Sequence, residues 1–142
     1  MGIQNPLRCI ILWLLLIVAM ILHFNYHVSG IFYGKDLARP DATGIVPFGT
    51  HLIRNVFYHL PMIWILLLVF FNHKFIRIGL FLISILYSIS HLLHLIGEMK
   101  NPDFSQMPLL LLTLFISIIL SIQHYKYSRV SSINKTPVPS LS

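Results

Sequence analysis

Four apolar runs, each near the roughly 20 residues that a helix needs to cross the hydrocarbon core of a bilayer, take up most of this chain, at 9–28, 51–71, 75–96 and 107–127. With 142 residues in all, they leave room only for short connections. A balance of 56% hydrophobic to 10% charged residues is that of a membrane protein, not of a soluble domain. The runs are Leu- and Ile-rich and lack the short alternating segments of a membrane barrel, so helices are expected rather than strands. The reading is an all-α integral membrane protein: a four-helix transmembrane bundle over 1–127, followed by a disordered tail at 128–142.

The first run follows Arg8 as a signal peptide's would, but no A-x-A site follows it, so it is expected to be a retained helix. Cys9 is the only cysteine, which rules out an intrachain disulfide and a thiolate cluster within one chain. The tail SRVSSINKTPVPSLS combines prolines and serines with no apolar periodicity. The long connection at 30–50 contains four glycines, two prolines and an apolar IFY stretch, suited to a partly ordered lid on the membrane surface.

Charge sets the expected orientation. If both termini are cytoplasmic, Arg8, Lys74, Arg77, Lys126, Arg129 and Lys135 fall inside; Lys35, Arg39, Arg54 and Lys100 fall outside, with all four acids, Asp36, Asp41, Glu98 and Asp103. The excess of inside cations favours this arrangement, with a multi-pass location in the cell (inner) membrane. The net charge of +6 follows from that bias and from attraction to anionic lipid heads. No soluble basic and aromatic patch is present, so nucleic acid is not an expected partner; membrane lipids, a lipid-soluble small molecule and other subunits are.

Threaded this way, six of the eight histidines reach one level. His23 and His27 lie at the outer end of the first helix, His51 and His59 in the outer half of the second, and His91 and His94 at the outer end of the third. Residues three or four apart share a helix face. His51, Asn55 and His59 therefore form one stripe, and His91, His94 and Glu98 another, extended by Ser84, Tyr87 and Ser88. Thr113, Ser117 and Ser121 give the fourth helix hydroxyls for interhelical hydrogen bonds but no strong ligand. His73 and His124 fall at the opposite side, where an interfacial role is the ordinary reading.

Single HxxxH and HxxH spacings are weak signals, and one such histidine is most often a helix-bridging hydrogen-bond partner. Three pairs from three helices point further, because helical bundles build metal sites from inward-facing imidazoles and carboxylates. Intramembrane ionisable groups are also functional candidates by default. His23, His27, His51, His59, His91 and His94 are thus the candidate metal ligands, Glu98 the candidate general base, and Arg54 and Asn55 the candidate cofactor contacts. Imidazoles without thiolates suit zinc, iron or copper rather than magnesium or calcium. Haem b is the competing cofactor, needing one or two axial imidazoles and using Arg54 for a propionate.

The expectation is a metal- or haem-dependent membrane protein, with oxidation of a lipid-soluble substrate as its enzymatic form. Membrane lipid oxidases and hydroxylases also gather histidines, but their paired HH boxes are absent here, so that comparison concerns chemistry alone. The alternative is a non-enzymatic transport, proton-relay or complex-subunit protein whose histidines titrate or bridge helices. A third reading holds a lipid under the outer loop, through Phe32 and Tyr33.

Overall fold

A computed structural model describes residues 4–38, 43–100 and 104–129. Helix α1 runs over Gln4–Ser29 and tightens into a 3-10 turn at Gly30–Tyr33. Gly34 ends that turn with φ 75°, a left-handed conformation open to glycine without a Cβ penalty. The other helices are α2, Phe48–Phe70, α3, Lys74–Glu98, and α4, Met107–Arg129. All four are long and apolar enough to cross a membrane, and the described residues contain no strand. The chain is an all-α membrane protein built as a four-helix bundle.

The first two helices begin earlier than their apolar runs, because flanking residues complete their first turns. α1 starts at Gln4 rather than at residue 9, and α2 at Phe48 rather than at 51. Of the expected tail, Ser128 and Arg129 finish α4. Residues 130–142 lie outside the described residues, as do Arg39, Asp41, Asp103 and Lys135 of the charge count.

Each helix turns one stripe inward. On α1 it reads Cys9, Trp13, Leu16, Ala19 and His23, so aliphatic and aromatic packing at one end gives way to imidazole at the other. On α3 it reads Arg77, Leu80, Ser84, Tyr87, His91 and Leu95. On α4 it is Leu110, Thr113, Ser117, Leu120, His124 and Tyr127. The most extensive helix packing is between α3 and α4, where the fully buried Ser84 and Ser117 are small enough to let backbones approach, and Ser88 Oγ lies 3.0 Å from Ser121 Oγ. α1 packs on α4 and on α2. No comparably close backbone approach joins α2 to α3 among the described residues; side chains bridge that seam instead.

The bridge depends on a break in α2. Pro61 has no N–H to give, so the ladder must be re-registered around it. One turn earlier, Asn55–His59 form a π turn, in which the Leu60 N–H reaches back to the Asn55 carbonyl. Val56 C=O thereby loses its ordinary partner, and the Tyr87 hydroxyl of α3 donates to it. Phe57 packs edge-on to Tyr87 with ring centroids 5.5 Å apart, completing the contact.

The basic end, which carries Arg8, Lys74 and Lys126, is closed from within. Arg77 is only 3% exposed, and its guanidinium lies over the Tyr127 ring at 5.3 Å. The Tyr127 hydroxyl donates to Asn72 Oδ1 at 3.0 Å. His124, expected at the interface, is instead a core residue with no exposure. It lies on the same α4 stripe as Leu120 and Tyr127, facing Trp13 of α1, which draws it inward.

Candidate functional site: a histidine-lined cavity

At the end opposite the basic one, the loosely closed α2–α3 seam opens into a cavity of about 510 Å³. His23, His27, His91 and His94 line it, together with apolar walls that include Met20, Phe24 and Phe57. The four imidazoles arrive there by simple periodicity. His23 and His27 are one turn apart on α1, and His91 and His94 nearly so on α3.

His23 is the hub. Its Nε2 lies 3.2 Å from His27 Nε2 and 3.1 Å from His94 Nε2, and the three rings stack edge to face at 77° and 84°. A ring nitrogen carries one in-plane proton or one lone pair, so His23 Nε2 can satisfy only one of these contacts as a neutral hydrogen bond. Gln106, 4% exposed at the start of α4, places its Nε2 3.5 Å from His27 Nδ1. An amide N–H directed at Nδ1 leaves the His27 proton on Nε2, aimed at His23, whose own proton then resides on Nδ1. That Nδ1 is buried and has no hydrogen-bond partner among the described residues; the same is true of His91 Nε2. Buried nitrogens of this kind call for an account; these two belong to rings that line the cavity, whereas others, on Trp64 and His124, do not.

Four of the six expected ligands thus come together, and two do not. His51 and His59 are exposed, and neither lines this cavity. The reason lies in α2, where two stripes compete. Phe57, Pro61, Trp64 and Leu68 recur at helical spacing and pack toward the bundle, so residues offset by two, Asn55 and His59, point away from it. They bond to one another instead, His59 Nδ1 to Asn55 Oδ1 at 2.6 Å. Asn55 is accordingly not placed to touch a group held in the histidine cavity. Glu98 is half-buried one turn beyond His94 and does not line the cavity, and Arg54 lines two neighbouring cavities rather than this one. A haem bound at His23, His91 or His94 with a propionate on Arg54 would therefore have to span two cavities; His27 is the one of the four that lines a cavity together with Arg54.

Gln106, Phe57 and the Tyr87–Val56 contact carried no sequence signal of their own. A glutamine at a helix start is common, and only the folded arrangement brings it under His27. Among the described residues, no group of three or more His, Cys, Asp or Glu side chains is arranged to hold a metal ion as the rings stand. No family of known proteins, no curated protein and no solved structure matches the chain.

Proposed function

We propose that this is a multi-pass protein of the cell (inner) membrane whose histidine cavity binds a transition-metal ion, zinc, iron or copper, beside a space for a lipid-soluble molecule. The observation that supports this reading is the double contact at His23 Nε2, 3.2 Å from one imidazole nitrogen and 3.1 Å from another. A single in-plane site at His23 Nε2 leaves one of the two contacts unsatisfied, and a shared cation would relieve it. Three nitrogens on one tetrahedral ion at about 2.0–2.1 Å stand about 3.3 Å apart, close to the separations seen. Binding requires the rings to turn until their lone pairs converge, and His27 and His94 border open space in which to do so. His91 would lie next to the ion and the bound molecule, offering its unpartnered Nε2. Iron or copper there would supply redox chemistry only with an external oxidant such as dioxygen; the apolar walls would hold the substrate.

Metal analysis of the purified chain tests this directly. One equivalent of a transition metal, lost in His23→Ala and His94→Ala and retained in His59→Ala, is the expected result. Metal well below one equivalent in the unaltered chain would remove the proposal.

The second reading is a proton-sharing cluster in a transport or subunit role. The rings as they stand favour it, since N···N contacts of 3.1–3.2 Å suit a shared proton without rearrangement. Proton flux into liposomes carrying the chain, abolished by His23→Ala, would support it; metal-free protein without flux would leave neither.

A further inference from the structure

Arg54 stands where two more cavities meet, and neither includes the convergent histidines His23 and His94. One, of about 540 Å³, is a groove between α1 and α2 walled by Ile21, Phe24, Ile53 and Tyr58, with His59 at its inner end. The other, of about 690 Å³, lies under the outer loop, bounded by Leu37, Thr43 and the 44–47 backbone. They share Phe24, Thr50 and Arg54, so the two form one continuous, largely apolar site with a cation at its waist.

The depth suits an amphiphile. Arg54 is six residues into α2, about 9 Å along the axis from Phe48, and a long cationic side chain at that level extends toward the headgroups while its stem stays among apolar groups. No carboxylate among the described residues forms an ion pair with it; its electrostatic neighbour is the Tyr58 phenol, whose hydroxyl donates to Met20 C=O at 3.4 Å and holds the groove's two helices together. Thr50 adds a hydroxyl donor one turn above Arg54, and His59 a ring nitrogen below.

We propose that this groove binds an anionic amphiphile, with its phosphate or carboxylate on Arg54 and Thr50 and its aliphatic chain along Ile21, Phe24 and Ile53. The site does not depend on a metal at the histidines. It adjoins them, because Phe24 walls all three cavities and His27 lines both the histidine cavity and the compartment under the outer loop.

Native mass spectrometry of the full chain in neutral detergent tests the proposal with four probes: dioleoyl phosphatidylglycerol, dioleoyl phosphatidylcholine, oleate and inorganic phosphate. Phosphatidylglycerol or oleate is expected to form a one-to-one adduct at least tenfold more readily than phosphatidylcholine, and whichever binds identifies a phosphate or a carboxylate source. Arg54→Gln should reduce that adduct tenfold or more, and Lys74→Gln, at the opposite end, should not. Ile21→Trp fills the exposed groove without touching Arg54, and should reduce it as well. Equal adducts with both phospholipids, retention in Arg54→Gln, or binding of inorganic phosphate as tight as that of either amphiphile would overturn the proposal.

Discussion

The Trp13 indole N–H donates to His124 Nε2 at 3.0 Å, joining α1 to α4 between two side chains that have no exposure. His124 Nδ1 has no hydrogen-bond partner among the described residues, so among them the indole is the one hydrogen-bond partner of a ring sealed in the core. Trp13→Phe keeps most of the packing and removes that donor. The expected loss is about 1–3 kcal/mol, the usual cost of stranding a buried acceptor. His124→Leu removes the acceptor too, so the pair of substitutions should cost less than the sum of the singles. Thermal unfolding of the four species in detergent checks this, and strictly additive losses would mean that the contact carries no energy of its own.

Tyr87 and Pro61 form a second coupled pair, although they do not touch through a hydrogen bond. Proline forces the π turn, the turn frees Val56 C=O, and the Tyr87 hydroxyl satisfies it. Tyr87→Phe should therefore destabilise the bundle by about 1 kcal/mol, in the range measured for interhelical hydrogen bonds in membranes. In a Pro61→Ala background, α2 regains an N–H and can return to regular α-helix, so the same change should cost less than half as much. An undiminished cost would show that the hydroxyl serves something other than the re-registered ladder.

The number of helices was legible because a 20-residue apolar run has few alternatives in lipid, and the pairs His23/His27 and His91/His94 were legible because their spacing alone puts each on one face. α2 was misread for a physical reason. Its polar stripe, His51, Asn55 and His59, and its apolar stripe, Phe57, Pro61, Trp64 and Leu68, are both periodic, and lipid repels the first without the bundle requiring it. The large side chains of the second stripe fill the space against α1 and α3, and that packing decided the rotation. Contacts such as Gln106 with His27 join positions 79 residues apart and leave no local pattern.

Gln106 fixes the orientation of a proposed ligand without being one. With its N–H on His27 Nδ1 the amide keeps the His27 proton on Nε2; an ion at Nε2 requires the amide to turn, so that Gln106 Oε1 accepts from Nδ1–H. Outer-sphere partners of this kind commonly contribute 10–100-fold to metal affinity. Gln106→Leu should weaken binding by about that factor while leaving the stoichiometry at one, and Gln106→Asn should recover part of it. Competition against a chelator of known affinity provides the measurement; an unchanged affinity in Gln106→Leu would detach the amide from the site.

His91 separates stability from binding. It is 5% exposed, packs against Phe57 at a centroid distance of 5.6 Å, and buries an Nε2 that no hydrogen bond satisfies among the described residues. Such a nitrogen is a standing cost of about 1–3 kcal/mol, and a leucine of similar volume would not incur it. His91→Leu should therefore raise the unfolding midpoint in detergent while reducing occupancy of the histidine cavity, the opposite of what a structural histidine would show. His91→Ala, by contrast, should lower the midpoint, because it leaves a cavity beside Phe57 and Tyr87. If His91→Leu and His91→Ala destabilise the bundle alike, the ring is a packing element whose nitrogen finds a partner in the folded protein, and its place in the binding site falls.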